Sequence, residues 1–217
     1  TLQGEVIKRQ RGEVTVSAEY CNAFVSTKII FREPVAEFRW PNPKPNNYVD
    51  QHVFAKHKLL QIEPSSLSPD EEFVRRVTLE TTGSLPTPQE VREFLADDRS
   101  DKRARLIDEL LERPEFADWW AMKWADRLGC NQRFVGKAGA IKYHRWIRHA
   151  MSVNMPEDQF AKILLTASGP NYSVPPAGFW RRLRKGGIVK DIDPLLAAEE
   201  ISQLFLGTRI QCTRCHN

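Results

Sequence analysis

Residues 68–96 carry the sequence SPDEEFVRRVTLETTGSLPTPQEVREFLA, which contains two helix-start signals. In both signals a hydroxyl residue precedes Pro, and Glu follows the hydroxyl residue by three positions: Ser68 with Glu71, and Thr87 with Glu90. This arrangement predicts a capping box, in which the hydroxyl and the carboxylate satisfy backbone N–H groups of the first turn. Apolar residues at helical spacing follow each signal, so the stretch predicts two consecutive amphipathic helices.

Helical signals continue through the rest of the chain. Ser100 is predicted to cap a third helix, and Asp193 with Pro194 to start another that stops at Gly207. Residues 169–190 are rich in Pro and Gly and are expected to form a long irregular connection. Further helices are predicted over residues 48–61, 115–128, 138–152 and 157–167.

The N-terminal part of the chain has a different pattern. β-Branched and aromatic residues over 13–20 and 24–31 predict two strands joined by a turn. The expected fold is therefore mainly α, a multi-helix domain with a short N-terminal β segment. We expect a β segment over residues 1–33, a Pro/Asn-rich linker over 34–47 and a helical domain over 48–217.

Composition excludes several classes of protein. The chain has 217 residues, 41% of them hydrophobic and 28% charged, which is ordinary for a globular protein. Its formal net charge of +4 comes from interspersed charges of both signs, so we expect no nucleic-acid partner. No apolar run is long enough to predict a membrane span. Since the chain starts at Thr1, we expect a piece of a longer protein and infer no compartment from the lack of a leader.

The most informative motif is CxxCH, formed by Cys212, Cys215 and His216. Two thiols at this spacing can add to the vinyl groups of haem, and the adjacent histidine can then bind the iron as proximal ligand. The same residues also allow half of a zinc site, a redox dithiol or a chance match. A zinc site would need further ligands, and Cys21 or Cys130 is the available thiol.

A haem iron often takes a second protein ligand. His144 is the candidate we favour as the sixth ligand, ahead of the other His and Met residues of helical segments. Those alternatives are His52, His57, His149, Met151 and Met155. An aromatic stripe of Trp119, Trp120, Met122 and Trp124 is expected to be core, with a haem wall as the other interpretation.

Many segments resemble, in the same order, the planctomycete cytochrome-c-associated domain of unknown function. They are residues 73–80, 83–88, 91–95, 101–111, Trp120, 124–126, 145–146, 154–156, 158–160 and 203–217. Residues 13–31 resemble the last strands of a bacterial Ig-like domain, which often precedes this domain. In relatives of this family the chain continues past the motif with a His-Pro pair and more aromatic residues.

The resemblance implies an exported bacterial protein, periplasmic or otherwise extracytoplasmic, whose CxxCH holds haem c. The expected function is electron transfer or haem-dependent redox chemistry, with a redox partner protein or other domains of the same longer chain as partners. The alternative is a non-haem binding or scaffold module, in which the two cysteines form a disulfide or bind zinc. The resemblance supplies no reaction, so an enzymatic activity stays open.

Overall fold

The computed structural model describes residues 5–10, 12–21, 23–33, 35–184 and 191–214. Within these residues the protein is mainly α-helical, with ten α-helices and one two-stranded antiparallel sheet, which confirms the expected fold class. The strands are β1 (Gly12–Tyr20) and β2 (Ala23–Phe31). The helices are α1 (Tyr48–Leu60), α2 (Asp70–Thr82), α3 (Pro88–Ala96), α4 (Lys102–Glu112), α5 (Pro114–Arg127), α6 (Gln132–Val135), α7 (Lys137–Ser152), α8 (Glu157–Thr166), α9 (Gly178–Arg181) and α10 (Pro194–Phe205).

The chain divides into two compact units, Thr1–Leu67 and Ser68–Asn217. Helix α1, which begins at the expected start of the helical domain, lies in the first unit together with the strands. The division into a β segment, a linker and a helical domain from residue 48 stays a prediction.

The first unit is built on a β-hairpin. β1 and β2 pair from Gly12 opposite Phe31 to Tyr20 opposite Ala23, so each strand is one residue longer than predicted. A two-stranded hairpin is marginally stable in water by itself. Glu13 on β1 forms an ion pair with Lys56 of α1, which ties the hairpin to the helix.

The second unit begins with the two helices of residues 68–96. At α3 the predicted capping box is present: the Thr87 hydroxyl accepts from the Glu90 N–H, and the Glu90 carboxylate accepts from the Thr87 N–H. At α2 the prediction is wrong, because the N-cap residue is Pro69 and no side chain caps the helix. Asp70 instead binds Lys102 and Arg103, which lie on α4.

Of the two later helix starts predicted from the sequence, one is confirmed and the other is wrong. The Asp193 carboxylate accepts from the N–H groups of Leu195 and Leu196, as predicted, and α10 ends shortly before Gly207, which has a φ of 64°. Ser100 does not cap α4, since its N-cap residue is Asp101, which forms no side-chain capping bond.

Two short helices, α6 and α9, lie in segments for which the sequence pattern predicts no helix. α6 starts after Asn131, whose side chain accepts from the N–H groups of Arg133 and Phe134. α9 lies inside residues 169–190, where Phe179 is completely buried and Gly178 packs directly on the ring of Tyr143. The expectation of a long irregular connection is therefore wrong for residues 175–181, because burial against α7 organises this part of the chain, and residues 185–190 of the predicted connection lie outside the described residues.

The core of the second unit forms where α5 packs on α7. Helix α5 turns three small residues inward, Ala117, Ala121 and Ala125. Their small side chains let α7 approach closely, and α7 contributes Tyr143 and Ile147, both completely buried. Full burial of an Ile side chain such as that of Ile147 contributes about 1.5–3 kcal/mol, so the packing of α5 on α7 stabilises the unit.

Candidate functional site

The CxxCH motif lies just after α10. The end of that helix is held by Ser202, whose hydroxyl donates to the carbonyl oxygen of Thr208 at 2.9 Å and whose carbonyl accepts from the Thr208 N–H at 3.1 Å. Cys212 follows in a short 3-10 turn over Gln211–Arg214, where it is exposed and forms no disulfide with another cysteine of the described residues. The other two residues of the motif, Cys215 and His216, lie outside the described residues.

His144 lies on α7 and is half-buried. Its backbone N–H hydrogen-bonds to Cys130, and the Cys130 Sγ donates to the carbonyl oxygen of Ala140 at 3.4 Å. Burial is the main influence on this thiol and raises the pKa of Cys130 to about 11, despite the opposing hydrogen bond from His144. Cys130 is therefore a neutral thiol at physiological pH. The assignment of His144 as a sixth ligand stays a prediction.

A cavity of about 330 Å³ lies between α5, the C-terminal end of α7 and the start of α8. We call it the aromatic cavity, because four rings and two thioethers form much of its wall. They are Phe116, Trp120, Trp124, Phe160, Met151 and Met155. Its volume is near the lower end of the range of about 300–1,000 Å³ that is usual for small-molecule sites.

The rings around this cavity are held by contacts with one another. Trp124 meets Phe160 edge-on with ring centroids 5.1 Å apart, and Trp146 stacks on Phe160 at the same separation. Phe116 lies 6.1 Å from Trp120. Because each ring has an aromatic neighbour in contact, the wall is formed before any ligand binds.

The aromatic stripe on α5 is thus divided among three environments. Trp119 packs on α2, with its Nε1 donating to the carbonyl oxygen of Glu80 at 3.2 Å. Trp120 and Trp124 are half-buried and line the cavity. Met122 is 52% exposed, so its expected place in the core is wrong. Sequence reasoning identified most of this stripe, but it did not show that these rings meet the thioethers of Met151 and Met155.

A smaller cavity of about 190 Å³ adjoins the first. The two share Trp124, Glu157 and Phe160. The smaller one extends to Leu204 and Phe205 at the end of α10, the helix that precedes the Cys212 turn. His144 lines neither cavity.

Trp180 and the two arginines that follow it, Arg181 and Arg182, form contacts that hold the fold together. Trp180 donates to the carbonyl oxygen of Leu164 at 3.0 Å. Arg181 donates to the Asn171 side chain, and Arg182 forms an ion pair with Glu200. These contacts join α9 and its C-cap residue Arg182 to α8 and α10, so they stabilise the fold.

Comparison with known proteins places most of the chain in one family. The family model PSCyt2, described as a protein of unknown function (DUF1549), matches residues 48–217. The chain belongs to this family. No curated protein and no solved structure matches the chain.

The PSCyt2 region contains α1 and the whole helical unit, and therefore the aromatic cavity and the CxxCH motif. Within the described residues, no group of three or more His, Cys, Asp or Glu side chains could hold a metal ion. No helix among those residues is long and apolar enough to span a membrane.

Proposed function

We propose that this PSCyt2 protein carries haem c, attached through Cys212 and Cys215 with His216 as proximal ligand. The observation that carries the proposal is the CxxCH motif, whose two thiols and adjacent imidazole are the chemical set required for c-type attachment. Haem bound in this way supplies one-electron redox chemistry at its iron, and the proposed function is electron transfer or haem-dependent redox chemistry.

The described part of the motif fits this chemistry. Formation of a thioether needs a thiol that is accessible and not already bonded, and Cys212 is both exposed and free. Its turn follows α10, a helix with Ala197 and Ser202 buried in the unit. A group attached there would therefore be mounted on a helix that is packed into the fold. Arg209, which is exposed just before the motif, supplies a cation suited to a propionate.

We further propose that the protein works outside the cytoplasm and exchanges electrons with a redox partner protein or with other domains of a longer chain. The resemblance to exported proteins supports this proposal. We also infer that the hairpin of β1 and β2 is the end of an Ig-like sandwich. Several apolar side chains of the hairpin, among them Phe24 and Val25, are exposed, as expected if further strands cover them in a complete sandwich.

A pyridine haemochrome spectrum tests the haem proposal. The native-length protein is produced together with a c-type maturation system, and its intact mass is measured in parallel. We expect a c-type absorption band and a mass increase of about 0.6 kDa for covalently bound haem. The variant Cys212→Ala/Cys215→Ala should lose both signals because no thioether can form.

Cys130→Ala is the matched control, since it removes a cysteine that lies outside the motif. It should retain the band and the added mass. Folded protein that shows neither signal after maturation would overturn the haem proposal. A measurement of zinc and thiol content would then separate a zinc site from a disulfide in a binding or scaffold module.

A further inference from the structure

A further cavity, of about 440 Å³, lies between α6, the start of α7 and the segment formed by α9 and the residues after it. Four of the seven described residues that line it are arginines: Arg133, Arg181, Arg182 and Arg184. None of these seven described residues is Asp or Glu. We call it the arginine cavity, and its lining carries positive charge only.

Most of this charge is not neutralised by the protein. Arg182 forms an ion pair with Glu200. Arg181 donates to a side-chain amide at 3.2 Å, and that partner is neutral. Among the described residues, the side chains of Arg133 and Arg184 form no ion pair or hydrogen bond. Because like charges around one cavity repel each other, an anion bound there would relieve that repulsion.

Part of the arginine cavity is fixed by contacts with the rest of the fold. Arg181 is held by Asn171, which is 4% exposed and donates to the Val135 carbonyl at 2.7 Å. The backbone of Arg184 pairs with Ile192 in an antiparallel bridge. A ligand therefore meets cations whose backbone or side chain is already placed, which lowers the entropic cost of binding.

Two further features of the wall suit an anionic ligand. Gly136 lines the cavity and is the N-cap residue of α7, a helix of 16 residues that no side chain caps at this end. The N-terminus of a helix carries a partial positive charge, which adds to that of the arginines. Phe134 also lines the cavity and is 42% exposed, so it offers an apolar surface to the body of a ligand.

We propose that the arginine cavity binds a small molecule that carries several phosphate or sulfate groups. A guanidinium group presents paired N–H donors that match two oxygens of one such group, which a lysine ammonium does not. Arg133, Arg181 and Arg184 bind the oxyanions, and the carbon skeleton of the ligand lies against Phe134. The volume of about 440 Å³ is within the range of small-molecule sites.

Isothermal titration calorimetry of the full chain tests the proposal with two probes. Tripolyphosphate represents the phosphorylated ligand, and sucrose octasulfate represents the sulfated one. We expect saturable binding of at least one probe at a single site, and the probe that binds more tightly identifies the preferred group.

Substitutions of the two unpaired arginines test the location of the site. Arg133→Gln and Arg184→Gln should each weaken binding about tenfold, as expected for loss of hydrogen bonds to a charged group. Arg133→Lys keeps the charge but loses the paired donors, so its affinity should lie between those of the parent and Arg133→Gln. Arg75→Gln and Arg92→Gln are the matched controls, because they remove exposed arginines of α2 and α3 that do not line the cavity.

The control variants should bind the probes as the parent does, and far-UV circular dichroism shows that each variant is folded before titration. The proposal is overturned if the folded parent binds neither probe, or if the controls lose as much affinity as Arg133→Gln and Arg184→Gln. A single-stranded DNA oligonucleotide that binds when neither probe does would also overturn it. The site uses no residue of the CxxCH motif, so Cys212→Ala/Cys215→Ala should bind with unchanged affinity, whether or not the parent carries haem.

Discussion

Replacing Gly139 by alanine should destabilise the helical unit, although alanine is the better helix former. Gly139 lies in α7, and a Cβ built on it would be only 2.1 Å from the Nδ2 of Asn171. Asn171 is 4% exposed, donates to the Val135 carbonyl at 2.7 Å and accepts from Arg181 at 3.2 Å. The new methyl group must therefore displace a buried side chain that joins three segments.

Contributions of opposite sign decide how Gly139→Ala changes the free energy of unfolding, and the destabilising ones are larger. The higher helix propensity of alanine stabilises α7 by about 1 kcal/mol. Loss of a buried hydrogen bond that leaves a polar group unsatisfied costs about 1–3 kcal/mol. Overpacking costs about 1–3 kcal/mol more. The net free energy of unfolding of Gly139→Ala should therefore fall by about 1–5 kcal/mol, with a fall in Tm of roughly 2–4 °C for each kcal/mol.

Urea unfolding followed by far-UV circular dichroism measures this change, and a double-mutant cycle with Asn171→Ala isolates its cause. Asn171→Ala alone should be destabilising, since the Val135 carbonyl loses its donor. In that background Gly139→Ala no longer meets the amide, so it should be neutral or stabilising by up to about 1 kcal/mol. A single Gly139→Ala variant more stable than the parent would refute the reasoning, as would additive effects in the double variant.

Three further predictions concern other described residues. In protein produced without the c-type maturation system, iodoacetamide should label the exposed Cys212 readily and Cys130 much more slowly, because a pKa of about 11 leaves Cys130 almost no thiolate at pH 8. Equal labelling rates in peptide mass spectra would contradict the raised pKa of the half-buried Cys130. Thr87→Ala should lower the free energy of unfolding by about 1 kcal/mol through loss of the α3 cap, whereas Ser100→Ala, at a position that caps no helix, should change it little in the same urea assay. The hydrogen bond from the Thr87 backbone holds the pKa of Glu90 below its ordinary value of 4.5. The Glu90 carboxylate therefore stabilises the folded state above about pH 4.5, and this stabilisation is lost as the pH falls through the lower pKa of the folded state. Glu90→Gln should therefore be less stable than the parent at pH 7 and approach it in strong acid, and a stability difference that is independent of pH would exclude this linkage.

The contrast between two helix starts shows where sequence reasoning succeeds. The capping box of Thr87 and Glu90 forms as predicted because all its groups lie within one turn. The equivalent box at Ser68 does not form. There Arg103 donates to the Ser68 carbonyl and also binds Asp70, and neither contact is visible in a local pattern.

The candidate sites also show that local sequence patterns do not reveal contacts between distant parts of the chain. The CxxCH motif is local, so Cys212, Cys215 and His216 could be identified from their spacing alone. The aromatic cavity joins residues of α5, α7 and α8, and its composition depends on how these helices pack. Trp120 and Met151 each stood out in the sequence as members of separate patterns. Only the packing of α5 on the end of α7 brings them to one cavity.

The sequence by itself determined the mainly α fold class, the hairpin, most of the longer helices and the motif after α10, because backbone capping and hydrophobic periodicity act over a few neighbouring residues. The tertiary structure decided the environment of each side chain. It directed Trp119 to α2 and Trp120 to the cavity, although the two are adjacent in the sequence. It also ordered α9 over residues that lack a helical pattern, because burial of Phe179 and the approach of Gly178 to Tyr143 depend on residues more than one helix away.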